Sequence, residues 1–91
     1  MAFTDVEVRE AHEAVQSAPE AEDLNRLGLI YSSGEGPDLD LVEAHKWFNL
    51  AAVLGFETAK DYRREISDQM SNSQIVKAQR AARKWLQGHH C

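Results

Sequence analysis

The feature that most constrains this fold is a pair of helical stripes, joined by a glycine-rich turn, between residues 21 and 59. The first stripe has apolar or small residues at the spacing of one helix face: Leu24, Leu27, Gly28 and Tyr31. The turn contains Gly34 and Gly36, which can adopt positive φ. The second stripe also follows one face: Ala44, Trp47, Phe48 and Ala51. This pattern predicts a helix–turn–helix unit that buries its aromatic residues.

Capping residues and breakers predict the limits of the helices. A Thr, Asp or Ser is followed three residues later by Glu or Gln, the pattern of a capping box, at Thr4, Asp40 and Ser71. Pro19, Gly55 and Gly88 mark helix ends. Five helices are expected, over approximately 4–18, 20–33, 41–54, 57–70 and 71–88. Because no useful stretch alternates apolar and polar residues, the 91 residues predict one all-α domain.

The order of these residues resembles the Sel1-like repeat, a helix–turn–helix unit related to tetratricopeptide repeats and found in short bacterial proteins. The matching positions span the unit: Ala21, Leu27-Gly28, Tyr31, Gly34-Glu35-Gly36, Asp40, Ala44, Trp47-Phe48, Ala51-Ala52 and Gly55. The chain departs from the pattern at Asn25, Arg26 and Pro37. The resemblance implies an antiparallel helical array with one repeat over 21–56, capped by the first helix and by a helical pair over 57–88.

The same resemblance implies a non-enzymatic adaptor that binds a protein or peptide on a concave face. The second and fourth helices are expected to line that face, with polar side chains pointing outward: Asn25, Arg26, Ser32, Lys60, Arg63 and Arg64. The cations of the fourth helix favour an acidic partner, since guanidinium groups bind carboxylates well. Two alternatives remain open, a structural homo-oligomer such as a homodimer and a regulatory subunit of an enzyme.

No residue pattern predicts catalysis, a cofactor or a metal site. His12 and His45 lie in helices and are expected to be packed or surface residues rather than catalytic bases, and His89, His90 and Cys91 stand at the end of the chain, where little fixes their geometry. The Gly-x-Gly turn lacks the Lys and Ser or Thr of a P-loop. The last helix has a basic face, but the acidic first half of the chain argues against nucleic acid.

Charge is divided along the chain, whose net charge is −5. Residues 1–56 carry 3 Lys or Arg against 11 Asp or Glu, whereas residues 57–91 carry 7 against 4. This asymmetry favours head-to-tail association or an acidic partner, unless both are ordinary solvated surfaces. The start of the chain lacks a signal-peptide pattern and no apolar run suits a membrane span, so we expect a cytoplasmic protein without membrane partners.

Overall fold

A computed structural model describes residues 4–17, 19–33 and 39–89 of this chain. They form five helices: α1 (Asp5–Ser17), α2 (Ala21–Ser32), α3 (Leu41–Val53), α4 (Thr58–Ser67) and α5 (Asn72–His89). These described residues contain no strand, and none of their helices is long and apolar enough to cross a membrane. The prediction of an all-α chain with five helices is confirmed. The turn glycines Gly34 and Gly36, together with Pro37, lie outside the described residues.

Two reciprocal capping boxes start α1 and α5 where the sequence predicts them. The Thr4 hydroxyl accepts from the Glu7 N–H at 3.1 Å, and the Thr4 N–H donates to the Glu7 carboxylate at 3.1 Å. Ser71 and Gln74 repeat this exchange at 3.2 and 2.9 Å. Each box satisfies N–H groups that have no partner within the helix, which fixes the first turn.

The start of α3 is capped differently from the predicted box. The Asp40 carboxylate accepts from the N–H groups of Val42 and Glu43 at 3.0 and 3.2 Å, so Asp40 is the predicted N-cap. Its own N–H, however, donates to the carbonyl of Tyr31 at 2.9 Å. Glu43 instead pairs with Lys46 at 2.8 Å. The return bond of the box is therefore replaced by a backbone bond that ties α3 to the last turn of α2.

The two glycines predicted to end helices behave differently. Gly55 has φ 103° and its N–H donates to the carbonyl of Ala52 at 3.1 Å, while Phe56 packs back onto the core. Gly88, in contrast, lies inside α5, which continues to His89, so the prediction of a helix end there is wrong. A glycine cap is usually accompanied by an apolar residue that folds back onto the helix, and the histidines after Gly88 do not supply one.

Helix α3 is the centre of the fold. It packs against α2, α4 and α5, while α1 packs against α2. The core draws on all five helices, and its largest fully buried side chains come from α2 and α3: Phe48, Leu24, Leu27, Ile30 and Leu50. Burial of these side chains between the helices supplies most of the stabilisation, because a short helix is only marginally stable alone.

Adjacent aromatic residues of α3 pack on different sides of that helix. Phe48 is fully buried, lies against Gly28 of α2 and stacks on Tyr62 of α4 with ring centroids 5.1 Å apart. Trp47 is 4% exposed and meets His12 and Trp85 edge-on at 6.2 and 6.0 Å. The predicted burial of Trp47 is confirmed. Trp47 packs toward α1 and α5 rather than on the side of Phe48, because successive helical residues point about 100° apart.

Candidate interaction groove between α2 and α4

An open groove of about 460 Å³ runs between the last turns of α2 and the second half of α4. The described residues that line it come from three helices: Leu29, Ser32 and Ser33 at the end of α2, Phe48 of α3, and Tyr62, Glu65, Ile66 and Gln69 beside α4. We call this surface the α2–α4 groove. Among its lining residues, the sequence analysis identified one, Ser32, as a partner contact.

The floor of the α2–α4 groove is apolar and rigidly packed. Phe48 is fully buried beneath it, Ile66 is buried, and Tyr62 is half-buried with its ring stacked on Phe48. Leu29 packs against the same core from α2. Such a floor offers an apolar surface to a side chain that enters from solvent, and the stacked rings restrict its shape.

The two edges of the groove differ in polarity. On the α2 edge, the Ser32 hydroxyl donates to the carbonyl of Leu29 at 3.4 Å, a long bond within the last turn. On the α4 edge, Glu65 is exposed and is the only charged residue among the described lining residues. Asp61 and Asp68 are also exposed and lie four residues before and three residues after Glu65, hence on the same side of α4. The α4 edge of the groove therefore carries one described carboxylate, that of Glu65, with Asp61 and Asp68 near it on the helix but outside the groove lining.

The predicted contact Asn25 is not an outward-facing residue. Its side chain is 6% exposed, and its Oδ1 atom is buried without a hydrogen-bond partner among the described residues. The expectation that it points to solvent is wrong because α2 is buried over a wide face, between α1 on one side and α3 on the other. Arg26, the next residue, is half-buried and does not line the groove.

The three cations of α4 point away from the α2–α4 groove. Lys60 and Arg64 are exposed and lie two residues before and after Tyr62, about 200° around the helix axis from it. Lys60 pairs with Glu57 at 3.1 Å. Arg63 is half-buried and donates to the Asn49 side chain of α3. None of the three cations therefore lines the α2–α4 groove, whose one described charged lining residue is the acidic Glu65.

His45 lies in a buried hydrogen-bond chain rather than in a reactive site. Its Nε2 atom lies 3.1 Å from the hydroxyl of Ser67, which donates to the carbonyl of Arg63 at 2.7 Å. Since the hydroxyl proton is used in that bond, His45 Nε2–H is the donor to Ser67. Burial, and secondarily the nearby charge of Arg63, lower the pKa of His45. A neutral donor imidazole cannot take the Ser67 proton, so this pair is not arranged for nucleophilic catalysis.

His12 likewise has packing partners. Its Nε2 atom lies 2.7 Å from the hydroxyl of Tyr31, and its ring meets those of Tyr31 and Trp47 edge-on. In the part of the chain that the structure describes, no group of three or more His, Cys, Asp or Glu side chains is placed to hold a metal ion. The side chains of His89, His90 and Cys91 lie outside that part.

Sequence reasoning missed Leu29, Tyr62, Glu65 and Gln69 as groove residues. Tyr62 shares a helix face with Ala59 and Ile66, a spacing that indicates burial rather than a binding role, and Glu65 and Gln69 have no signal beyond their spacing of three and seven from it. That spacing places all three on one side of α4, but nothing local indicates that this side borders α2.

Comparison with known proteins found no matching family model, no matching curated protein and no matching solved structure. The Sel1-like resemblance therefore rests on the residues quoted above. The geometry of the α2–α4 groove is the starting point for a functional proposal.

Proposed function

We propose that this protein is a non-enzymatic interaction module that holds a segment of a partner protein in the α2–α4 groove. The supporting observation is the combination of an apolar floor, formed by Phe48, Tyr62 and Ile66, with the carboxylate of Glu65 at the open edge. An apolar anchor in a pocket supplies most of the affinity of small interfaces, and a charged rim selects the partner.

The charge of the groove defines the class of partner. A segment with an apolar side chain flanked by Lys or Arg would place its cations beside Glu65 and its acidic neighbours Asp61 and Asp68. An acidic segment would be repelled there. The acidic partner favoured by Lys60 and Arg64 would instead have to bind the opposite side of α4.

We also propose that α2 and α3 form one Sel1-like repeat and that the protein works in the cytoplasm. Support for the repeat comes from Gly28, whose missing side chain admits the ring of Phe48, and from Ala51, which is fully buried. These are the packing roles that the glycine, aromatic and alanine positions of such a repeat imply. In this proposal the protein supplies a binding surface and no catalytic group.

The proposal is tested with two synthetic peptides of identical leucine pattern, one with lysine and one with glutamate at the other positions. Backbone amide signals are followed by NMR during titration. The lysine peptide should shift signals around Leu29, Tyr62 and Ile66, and the glutamate peptide should not. Glu65→Lys should weaken lysine-peptide binding about 2- to 10-fold, the range for a lost exposed ion pair plus new repulsion.

The matched control is Glu20→Lys, which makes the same charge change at an exposed residue before the first turn of α2, whereas the groove is lined by the last turns of that helix. It should leave the lysine-peptide affinity close to that of the unaltered protein. Equal binding of both peptides, or equal weakening by the two substitutions, would show that the groove does not select cationic segments.

A further inference from the structure

The solvent-facing sides of α1 and α5 have matching side-chain patterns and opposite charge. On α1, Val6 is followed by Glu10 and Glu13, at i, i+4 and i+7, and all three are exposed. On α5, Val76 is followed at the same spacing by two arginines, Arg80 and Arg83, again exposed. This spacing follows one side of a helix, so each helix presents one valine and two like charges in a row.

The wider charge of the two helices follows the same division. Helix α1 carries four carboxylates, at Asp5, Glu7, Glu10 and Glu13, against a single arginine. Helix α5 carries four cations and no carboxylate: Lys77, Arg80, Arg83 and Lys84. Within α1, Arg9 lies 4.0 Å from Glu13, but both side chains are about two-thirds exposed. An exposed pair of this kind contributes little and exchanges readily for another partner.

The outer side of α5 also has space for an apolar side chain. Val76 is 43% exposed and borders an open recess of about 590 Å³, whose described lining comes from α5 alone: Asn72, Ser73, Val76, Lys77 and Arg80. The cations Lys77 and Arg80 flank this recess. The two cations suit a valine flanked by carboxylates, and Val6 of α1, which is 52% exposed, is such a residue.

We propose that two copies of this chain form a dimer in which α1 of each copy lies parallel to α5 of the other. In this alignment Val6 packs beside the other copy's Val76, while Glu10 and Glu13 pair with its Arg80 and Arg83. Helices α1 and α5 both approach Trp47, through His12 and Trp85, so they lie close together in one copy. A two-fold axis then forms both contacts at once and closes the assembly.

This dimer goes beyond the proposed binding function and does not compete with it. No described residue that lines the α2–α4 groove belongs to α1 or α5. Each copy therefore keeps its own groove open, and a bivalent partner gains avidity from the pair.

Sedimentation equilibrium of the full chain, up to roughly 100 μM, tests the dimer. The unaltered protein should dimerise at low salt and dissociate progressively toward about 1 M salt, which screens exposed charges. The double substitution R80E/R83E should raise the dimer dissociation constant about tenfold or more, and so should E10R/E13R. An equimolar mixture of these two variants should restore the dimer, because each acidic face again meets a basic one.

Two controls separate the interface from general charge effects and from misfolding. K60E/R64E makes the same charge change at exposed positions of α4 and should leave the dissociation constant unchanged. Circular dichroism reports whether each variant keeps its helices, and R80Q/R83Q replaces R80E/R83E if the latter unfolds. The proposal is overturned by a monomer at low salt, by a dimer insensitive to the α5 substitutions, by equal disruption in K60E/R64E, or by a mixture that stays monomeric.

Discussion

Gly28→Ala should destabilise this protein, although the same change in an ordinary helix is favourable. A Cβ atom at position 28 would lie 2.5 Å from two ring carbons of Phe48 and 2.9 Å from a third. The Phe48 ring cannot easily move away, since it is fully buried and stacked on Tyr62 at 5.1 Å. Relief requires that α2 and α3 separate, and α3 is the helix on which most of the core is built.

Two opposing terms set the size of the effect. Replacing glycine by alanine in a helix interior gains about 1 kcal/mol from helix propensity. Overpacking a tight core costs about 1–3 kcal/mol. Because the clash is with an immobile ring, we expect a cost near the upper limit and a net loss of about 2 kcal/mol. In a domain of this size, that loss lowers the melting temperature by roughly 8–16 °C.

Urea unfolding followed by circular dichroism gives the free energy of unfolding directly. Gly88→Ala is the matched control, because its added Cβ meets nothing within 4 Å in a helical segment. That variant should be as stable as the unaltered protein or up to about 1 kcal/mol more stable. If Gly28→Ala is equally stable or gains stability, the close approach of α2 to Phe48 does not exist in solution.

Three further predictions concern stability. Trp47→Ala should cost about 3–5 kcal/mol in a urea titration, the usual cost of removing a large core aromatic, and an unchanged midpoint would place Trp47 at the surface. Asp40→Ala removes two N-cap bonds and should cost about 0.5–2 kcal/mol, whereas a silent change would mean that α3 starts elsewhere. Burial lowers the pKa of His45 from 6.5 in the folded chain. Above pH 6.5 the imidazole is neutral in both the folded and the unfolded chain, but as the pH falls below that value the unfolded chain binds the proton first, so the free energy of unfolding declines. The free energy of unfolding should thus depend less on pH between about 7 and 5 in His45→Gln, and equal slopes would refute the buried neutral imidazole.

The sequence by itself determined the number of helices and most of their starts. Thr4 with Glu7 and Ser71 with Gln74 bond within a single turn, so their geometry depends only on neighbours three residues away. Gly55 is similar, since its positive φ and its bond to Ala52 are local. Such interactions can be predicted from a short stretch of chain without knowledge of the rest.

The choice of partners for each helix face was decided by the tertiary structure. Trp47 and Phe48 are both apolar and adjacent, and nothing near them in sequence indicates that one faces α1 and α5 while the other faces α2 and α4. Asn25 was expected at the surface because its side chain is polar. It is buried because two neighbouring helices cover that part of α2.

The candidate site depends on the same long-range contacts. Ala59 and Ile66 are buried and Tyr62 is half-buried on one side of α4, while Lys60 and Arg64 are exposed as expected. Whether the groove beside α2 is bordered by those cations or by Glu65 depends on how far α4 is rotated against α3 and α2. That rotation follows from packing between side chains far apart in sequence, where ridges of one helix fill grooves of another. Helix formation is encoded locally in this chain, whereas the charge of its groove is set by tertiary packing.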